Sequence, residues 1–369
     1  MHIACDKKKL LDNINIVQKC VSPRTPNPIL ECILLTADRQ GFRMLANDLE
    51  MSIETANIED TEVYNIGSAA IDAKMLFDII RSMNEDDGLI DIDCDDNYVT
   101  TIKCGKAVFK IQAFNGDEFP RPKEMENTDE AEIKGSVLKS MIKQTIFSIS
   151  TKDIRPVLMG ELFEFSGHKL NIVAVDGHRI AHRVEMIEKE TNSKIIVPGK
   201  TLTEISRLTD DEETAAIKFN KKFVCFCLKN CVVTSRLFEG DFIEYKNMFT
   251  NDYKTFVSVS RNRLLSVLER CLLIISRDVK QTRVVFEISD GKLDIHAANS
   301  FGNFDDEIDI DFDGEDLRIG FAPNYLIDIC KAVDEEKLNM YFISSLSPCI
   351  IRSSEGNENF NYLVLPVKL

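Results

Sequence analysis

Arg155-Pro-Val-Leu-Met-Gly-Glu-Leu-Phe-Glu-Phe165, then Ser166-Gly167, then Leu170-Asn-Ile-Val-Ala-Val-Asp-Gly-His-Arg-Ile180 is the stretch that decides the fold. Leu162 to Phe165 and Leu170 to Val175 are rich in apolar and β-branched residues, and Ser-Gly between them is turn chemistry, so the stretch reads as a hairpin. Asp176-Gly177 ends the second strand in a tight turn that presents His178 and Arg179. The pattern returns at Leu34-Leu-Thr-Ala followed by Phe42–Asp48, and again at Val285-Phe-Glu-Ile, Asp290-Gly291 and Leu293–Asn299. Asp48, Asp176 and Asn299 occupy the same place in the three copies, at spacings of 128 and 123 residues. Ala73–Ile79, Gly199–Ile205 and Pro323–Ile329 repeat at 126 and 124, and Leu10, Leu138 and Leu264 at 128 and 126. Solenoid repeats have periods of roughly 20–50 residues, so this longer period means three copies of a whole domain.

Each copy reads helix, strands, helix, strands. This predicts an α+β fold in which every domain has two similar halves, helices on one side of antiparallel sheet. The expected helices are Asp6–Cys20, Ala73–Arg81, Lys134–Thr145, Gly199–Arg207, Arg261–Arg270 and Pro323–Lys331. Leu10, Leu11, Ile14 and Val17 make the apolar stripe of the first. Pro23, Pro26 and Pro28 stop it, and Asp72 is placed to cap the second. Linkers fall at Phe119-Pro-Arg-Pro122 with the acidic run 124–132, and at Phe249–Lys254. The expected domains are 1–122, 130–248 and 252–369.

A chain of 369 residues with 44% hydrophobic and 29% charged residues fits a soluble globular protein. Its start lacks the pattern of a signal peptide and no run of about 18 apolar residues occurs, so the expected location is the cytoplasm, with no membrane partner. The 11 cysteines are scattered and need no disulfide frame. Cys225, Cys227 and Cys231 share one parity of a strand–turn–strand without a nearby His pair, and read as buried strand cysteines rather than zinc ligands. Asp309, Asp311, Asp313 and Gly314 begin like a calcium loop, but Gly320 stands where that loop needs Glu. Ile308, Ile310 and Phe312 alternate with the acids, so the segment reads as a strand with one wet face.

The net charge of −16 argues against nucleic acid at first sight. Its distribution says otherwise. The six helical segments together carry +9 and the remainder −25, which points to a basic face built from helices. Walker, GxSxG, CxxC-pair and HExxH signatures are absent, so the sequence favours a binding protein that needs no metal or cofactor. Two other classes remain open at this point: an enzyme using Asp176 and His178 as an acid–base pair, and a scaffold that binds peptides but no DNA.

Arg155–Glu164, Val173-Ala-Val-Asp-Gly-His-Arg-Ile180, Thr234-Ser-Arg-Leu-Phe-Glu-Gly240 and the terminal Tyr362-Leu-Val-Leu-Pro-Val-Lys-Leu369 resemble the bacterial β sliding clamp family over the whole chain. The resemblance implies a non-catalytic processivity subunit of DNA polymerase III. It implies a homodimer closing a six-domain ring, with helices lining a hole for duplex DNA held topologically and without sequence preference. It places the protein at the nucleoid. It implies DNA contacts at Arg24, Lys74, Lys152 and Lys200, and a dimer contact of Phe109 with Ile274 and Ile275. It also implies an apolar pocket for short peptides of the replicative polymerase, the clamp loader and repair proteins. One part of that pocket maps to Leu158, Val175, Gly177, His178, Arg179 and Ile180. A second maps to Ile243, Asn247 and Met248, and a third to Leu363, Val364, Leu365, Pro366, Val367, Lys368 and Leu369. Ile243 stands where the family often has Pro, Asn247 where it has a base and Lys368 where it has Arg, so the peptide preference is expected to differ.

Overall fold

Asp6 and Asp72 open the first two helices by accepting bonds from the backbone N–H groups of Lys9 and Met75, at 3.1 and 2.7 Å. The computed structural model describes residues 1–22, 24–123, 125–152, 155–275, 283–354 and 359–369. Pro23, expected to help stop the first helix, and Glu124 of the first linker lie outside these. Among the described residues all six expected segments are helical: α1 (Lys7–Val17), α2 (Ala73–Ser82), α3 (Gly135–Lys143), α4 (Gly199–Leu208), α5 (Arg261–Ile275) and α6 (Pro323–Ala332). α1 buries Leu10, Ile14 and Val17 of its apolar stripe and leaves Leu11 half-buried. Gly135 opens α3 because a Cβ there would stand 1.9 Å from the Asp210 carbonyl oxygen.

Two compact units emerge, and they do not follow the three sequence repeats. The first comprises Met1–Val137 with Glu204–Leu237, the second Leu138–Thr203 with Phe238–Leu369. Strand pairing explains the division. In the first unit, Met51–Thr55 of the first repeat pairs with Cys231–Arg236 of the second, making a nine-stranded antiparallel sheet. A five-stranded sheet accompanies it, with Ala107–Gln112 as an open edge. In the second unit, Arg179–Pro198 of the second repeat pairs with Phe360–Val364 of the third inside a seven-stranded sheet. A four-stranded sheet there ends on the edge strand Gly302–Asp309. Main-chain hydrogen bonds therefore tie neighbouring repeats more tightly than the linkers suggest.

The opening stretch is one long strand, Gly160–Val175, whose register against Arg179–Pro198 shifts between Gly167 and Lys169. The Asn171 side-chain amide donates to the Glu164 carbonyl at 3.2 Å. Seven residues of straight strand would separate the two by about 23 Å, so the chain reverses between them, as Ser166-Gly167 implies. Gly167 takes φ +61°, which a glycine supplies without steric cost.

Two expectations need correction. Cys231 does not share a face with Cys225 and Cys227. Cys227 pairs with Val232, so the tight turn between puts Cys231 on the opposite, core side. Parity counted along a sequence is lost across a turn. The acidic run is also divided: Gly302–Asp309 and Asp311–Gly314 belong to different sheets, and Asp311 pairs with Lys337 at 2.7 Å.

Candidate peptide groove, nucleic-acid face and subunit edges

The second unit gathers Leu158, Leu162, Val173, Val175, Ile180, Ile196, Tyr245 and Leu363 into one buried apolar cluster, flanked by half-buried Val157, Phe238, Phe242, Ile243 and Phe249. The turn Pro156–Met159 delivers Leu158, the strand Gly160–Val175 carries Leu162, Val173 and Val175, and the pair Ile180↔Leu363 joins Arg179–Pro198 to Phe360–Val364. The residues named from the sequence meet here at different depths. Leu158, Val175, Ile180 and Leu363 are the floor, each 5% exposed or less. The accessible apolar surface is a fringe: Leu365 and Val367 at 37%, Leu369 and Met248 at 45%. Asn247 and Lys368 are exposed beside it, and Pro366 is half-buried.

The terminal segment is held from both sides of Pro366. Leu365 N–H donates to His178 O at 2.9 Å and Val367 N–H to Gly320 O at 2.8 Å. Pro366 has no N–H to satisfy, so the tail crosses from one strand to the other and turns its side chains outward.

Arg179 is committed to partners within the second unit. It is buried, with Nε on Asp176 at 2.9 Å, Nη1 on Asp328 at 2.6 Å, and Nη2 on the Phe147 carbonyl. Its guanidinium carbon lies 4.6 Å from the Tyr325 ring centre and 5.1 Å from that of Phe147. Asp328 and Tyr325 come from α6, about 150 residues away in sequence, so Arg179 fastens the second repeat to the third. Asp176 is equally committed, its Oδ1 accepting the N–H groups of His178 and Arg179 at 2.9 and 3.1 Å. The His178 ring stacks on Tyr325 at 6.0 Å. No acid–base pair forms here.

A polar anchor behind the groove escapes the sequence reading. Glu164 is buried in the strand beside Leu162, and accepts the Tyr245 hydroxyl at 2.6 Å and the ammonium groups of Lys246 and Lys194 at 3.0 Å each. Burial opposes its charge, but these bonds outweigh it and hold the carboxyl at about 2. Nearby His182 is pushed down to about 4, chiefly by burial, against the pull of Glu164, and stays neutral at pH 7. The Phe242–Met248 wall is thus pinned through Tyr245 and Lys246. An acid in an apolar strand carries no local signal of this.

Arg24, Lys74, Lys152 and Lys200 are all exposed. Lys74 and Lys200 are the second residues of α2 and α4, equivalent places in two repeats, and Lys74 lies 3.4 Å from Asp78 one turn on. Much of the helical positive charge has acidic company. Lys143 meets Asp334 at 3.2 Å, Arg207 meets Glu204 at 2.8 Å, Lys331 meets Glu269 at 2.8 Å, and both Arg263 and Arg270 reach Asp306. Two of these acids, Asp334 and Asp306, sit outside the helical segments, so a charge count restricted to helices overstates the field.

Phe109 is exposed on the edge strand Ala107–Gln112, and Ile274 is half-buried. Ile275 is 4% exposed within the core of its own unit, so its side chain is packing rather than a free contact. Leu273, two residues earlier, is 69% exposed.

Among the described residues no three His, Cys, Asp or Glu side chains stand close enough together to hold a metal ion, and no helix is long and apolar enough to cross a membrane. With Asp176 and His178 committed to a turn, what this fold presents is surfaces, and the class they define is a binding protein of tripled α+β domains. Family models of the DNA polymerase III beta subunit match in succession: the N-terminal domain over residues 1–123, the central domain over 132–244 and the C-terminal domain over 246–368. The β sliding clamp of Halalkalibacterium halodurans is 33% identical, with each chain fully covered. The crystal structure of the Bacillus subtilis sliding clamp superposes with a TM-score of 0.95 at 28% identity, covering 100% of this chain and 99% of that one. A Pseudomonas aeruginosa sliding clamp solved with griselimycin bound gives 0.93 at 26% identity, with full coverage of both. The chain belongs to the β sliding clamp family, the processivity factor of DNA polymerase III.

Proposed function

We propose that two copies of this chain close head to tail into a ring around duplex DNA and tether the replicative polymerase, the clamp loader and repair proteins through the terminal groove. The domains 1–122, 130–248 and 252–369 are the ring's repeating parts, and the ring works in the cytoplasm at the nucleoid. Arg24, Lys74, Lys152 and Lys200 supply loose phosphate contacts that allow sliding. The observation that carries this reading is a pair of open strand edges. Ala107–Gln112 ends its sheet with Val108 53% and Phe109 38% exposed. Gly302–Asp309 ends another, beside Phe301 at 67% and Leu273 at 69%. Unpaired edges with apolar neighbours invite strand addition. Joining one kind of edge to the other on a second copy is a heterologous contact, and two such contacts close a ring.

Phe109→Asp with Leu273→Asp tests this without touching the core. The expected product is a folded monomer of 41.9 kDa that no longer stays on nicked circular duplex, whereas the natural chain runs at twice that mass and is lost only when the circle is cut. A variant that remains dimeric would move the interface elsewhere. Replacing Arg24, Lys74 and Lys200 by Glu should leave the dimer intact, weaken DNA retention and flatten its salt dependence by about 0.9 in log–log slope per lost phosphate contact. Unchanged retention would remove these residues from the DNA face.

A further inference from the structure

Cys225 and Cys227 are neighbours on one face of the strand Phe223–Cys227, with Sγ atoms 3.8 Å apart. Val224 and Phe226, which alternate with them, fill the core. The thiols therefore face outward from the nine-stranded sheet, Cys225 between Lys218 and Thr234, Cys227 between Ala216 and Val232. Cys225 is nearly covered, while Cys227 is partly open to solvent. An open groove runs over them, and its lining includes Arg121, Lys123, Lys218 and Glu54. Lys218 lies 3.8 Å from Glu130, so one of the three bases is shared with an acid.

The groove combines a dithiol with an excess of positive charge, and the function described above uses neither. We propose that Cys225 and Cys227 form a redox-active dithiol that exchanges with small disulfides carrying carboxylates, of which oxidised glutathione is the type. The more open Cys227 reacts first. Its thiolate attacks one sulfur of the small disulfide, forming a mixed disulfide and expelling one small thiolate. Cys225 then gives up its proton to water and its sulfur attacks Cys227 Sγ, expelling the second small thiolate and closing an intramolecular disulfide. Two protein thiols are oxidised by two electrons, and one small disulfide is reduced to two thiols.

Three features favour this. Two residues along a strand place their Cα atoms about 6.6 Å apart, at the upper end of the span of roughly 4.4–6.8 Å that a disulfide bridges. Closing the sulfur pair from 3.8 Å draws the two Cβ atoms together and bends the strand at Phe226. The hydrogen bond shared by the two sulfurs lowers the Cys227 thiol despite its partial burial, with Lys218 adding to this and Glu130 opposing it. The same bond, together with burial, pushes the Cys225 thiol up, which suits it to resolve rather than to attack first. The other nine cysteines lack such an arrangement: each is buried.

The test uses the full-length reduced dimer in glutathione buffers of graded redox poise, followed by acid quenching, alkylation under denaturing conditions and peptide mapping. The expected result is a single disulfide within the peptide holding Cys225 and Cys227, formed while the protein remains folded, with the other cysteines alkylated. Cys225→Ala should halt at one glutathione on Cys227, and Cys227→Ala should take up none. At pH 6, Cys227 of the natural chain should react with iodoacetamide on the order of tenfold faster than free cysteine, its larger thiolate fraction exceeding its lower nucleophilicity. That advantage should be lost in Cys225→Ala. Oxidation mapped to any other cysteine overturns the proposal. So does a glutathione adduct that persists in the natural chain without closing, or alkylation of Cys227 at the rate of free cysteine.

Discussion

A chain shortened by its last four residues, Pro366 to Leu369, is expected to keep its dimer and lose its peptides. The truncation removes Pro366, Val367 and Leu369 from the exposed fringe over a floor of Leu158, Val175, Ile180 and Leu363. An apolar side chain fully covered by a ligand contributes about 1.5–3 kcal/mol. A micromolar peptide has only about 8 kcal/mol in total, so losing three such contacts abolishes binding. The structural cost is smaller: the Val367–Gly320 bond of 2.8 Å, and the bond of 2.9 Å from Arg283 to the Lys368 carbonyl. Each is near the surface and contributes about 1 kcal/mol. The floor is packed against Tyr245, Phe242 and Phe249, which the truncation leaves in place. Fluorescence anisotropy with a short peptide carrying apolar anchors, titrated with intact and shortened dimers, measures the effect. Equal affinity would remove the tail from the groove, and a shortened chain that no longer dimerises would show that the tail is structural.

What was legible in the sequence follows from how far each signal reaches. The repeat markers at Asp48, Asp176 and Asn299 report local chemistry, a strand ending in a turn, and they located the α+β units. The Asp72 cap and the stripe of α1 are equally local and hold. The strand pairings Met51–Thr55 with Cys231–Arg236 and Arg179–Arg183 with Phe360–Val364 are not local. Hydrophobic alternation says which face of a strand is wet, never which strand lies beside it. Hence strands of the middle repeat fall in both compact units, although three domains in succession match along the chain.

The groove shows the same limit at the scale of single residues. Periodicity and resemblance found Leu158, Val175, Ile180 and the tail, but could not tell floor from fringe. The partners of Arg179, Asp328 and Tyr325, sit in another repeat and leave no local signal. Glu164 passed unnoticed because Lys246 and Tyr245, which make its burial tolerable, arrive some 80 residues later. Ile275 and Leu273 differ in exposure for a simpler reason. Two positions apart on a helix is about 200° of rotation, so one faces the core and the other solvent.

Glu161 should make the second unit lose stability as pH rises. It lies in the strand Gly160–Val175, fully buried, and neither carboxyl oxygen has a hydrogen-bond partner among the described residues. The nearby Thr145 hydroxyl spends its own proton on the Met141 carbonyl at 2.8 Å and offsets little of the cost. Burial raises the Glu161 carboxyl from an ordinary 4.5 to about 8, so it is neutral in the folded protein at pH 7. The sign follows from proton uptake: between these values the folded state binds a proton that the unfolded chain has released. Stability is therefore fully present below about pH 4.5 and falls until the folded group ionises near 8. At about 1.4 kcal/mol per pH unit, the loss approaches 3 kcal/mol by pH 7 and about 5 kcal/mol by pH 9. Glu161→Gln keeps the shape and removes the titration. It should resemble the natural chain at pH 4.5, exceed it by about 3 kcal/mol at pH 7, and gain further at pH 9. Urea unfolding of both proteins at the three pH values, followed by a probe in the second unit, reads the difference. Parallel pH profiles would mean that Glu161 carries its charge when folded, held by a partner or water that reaches it.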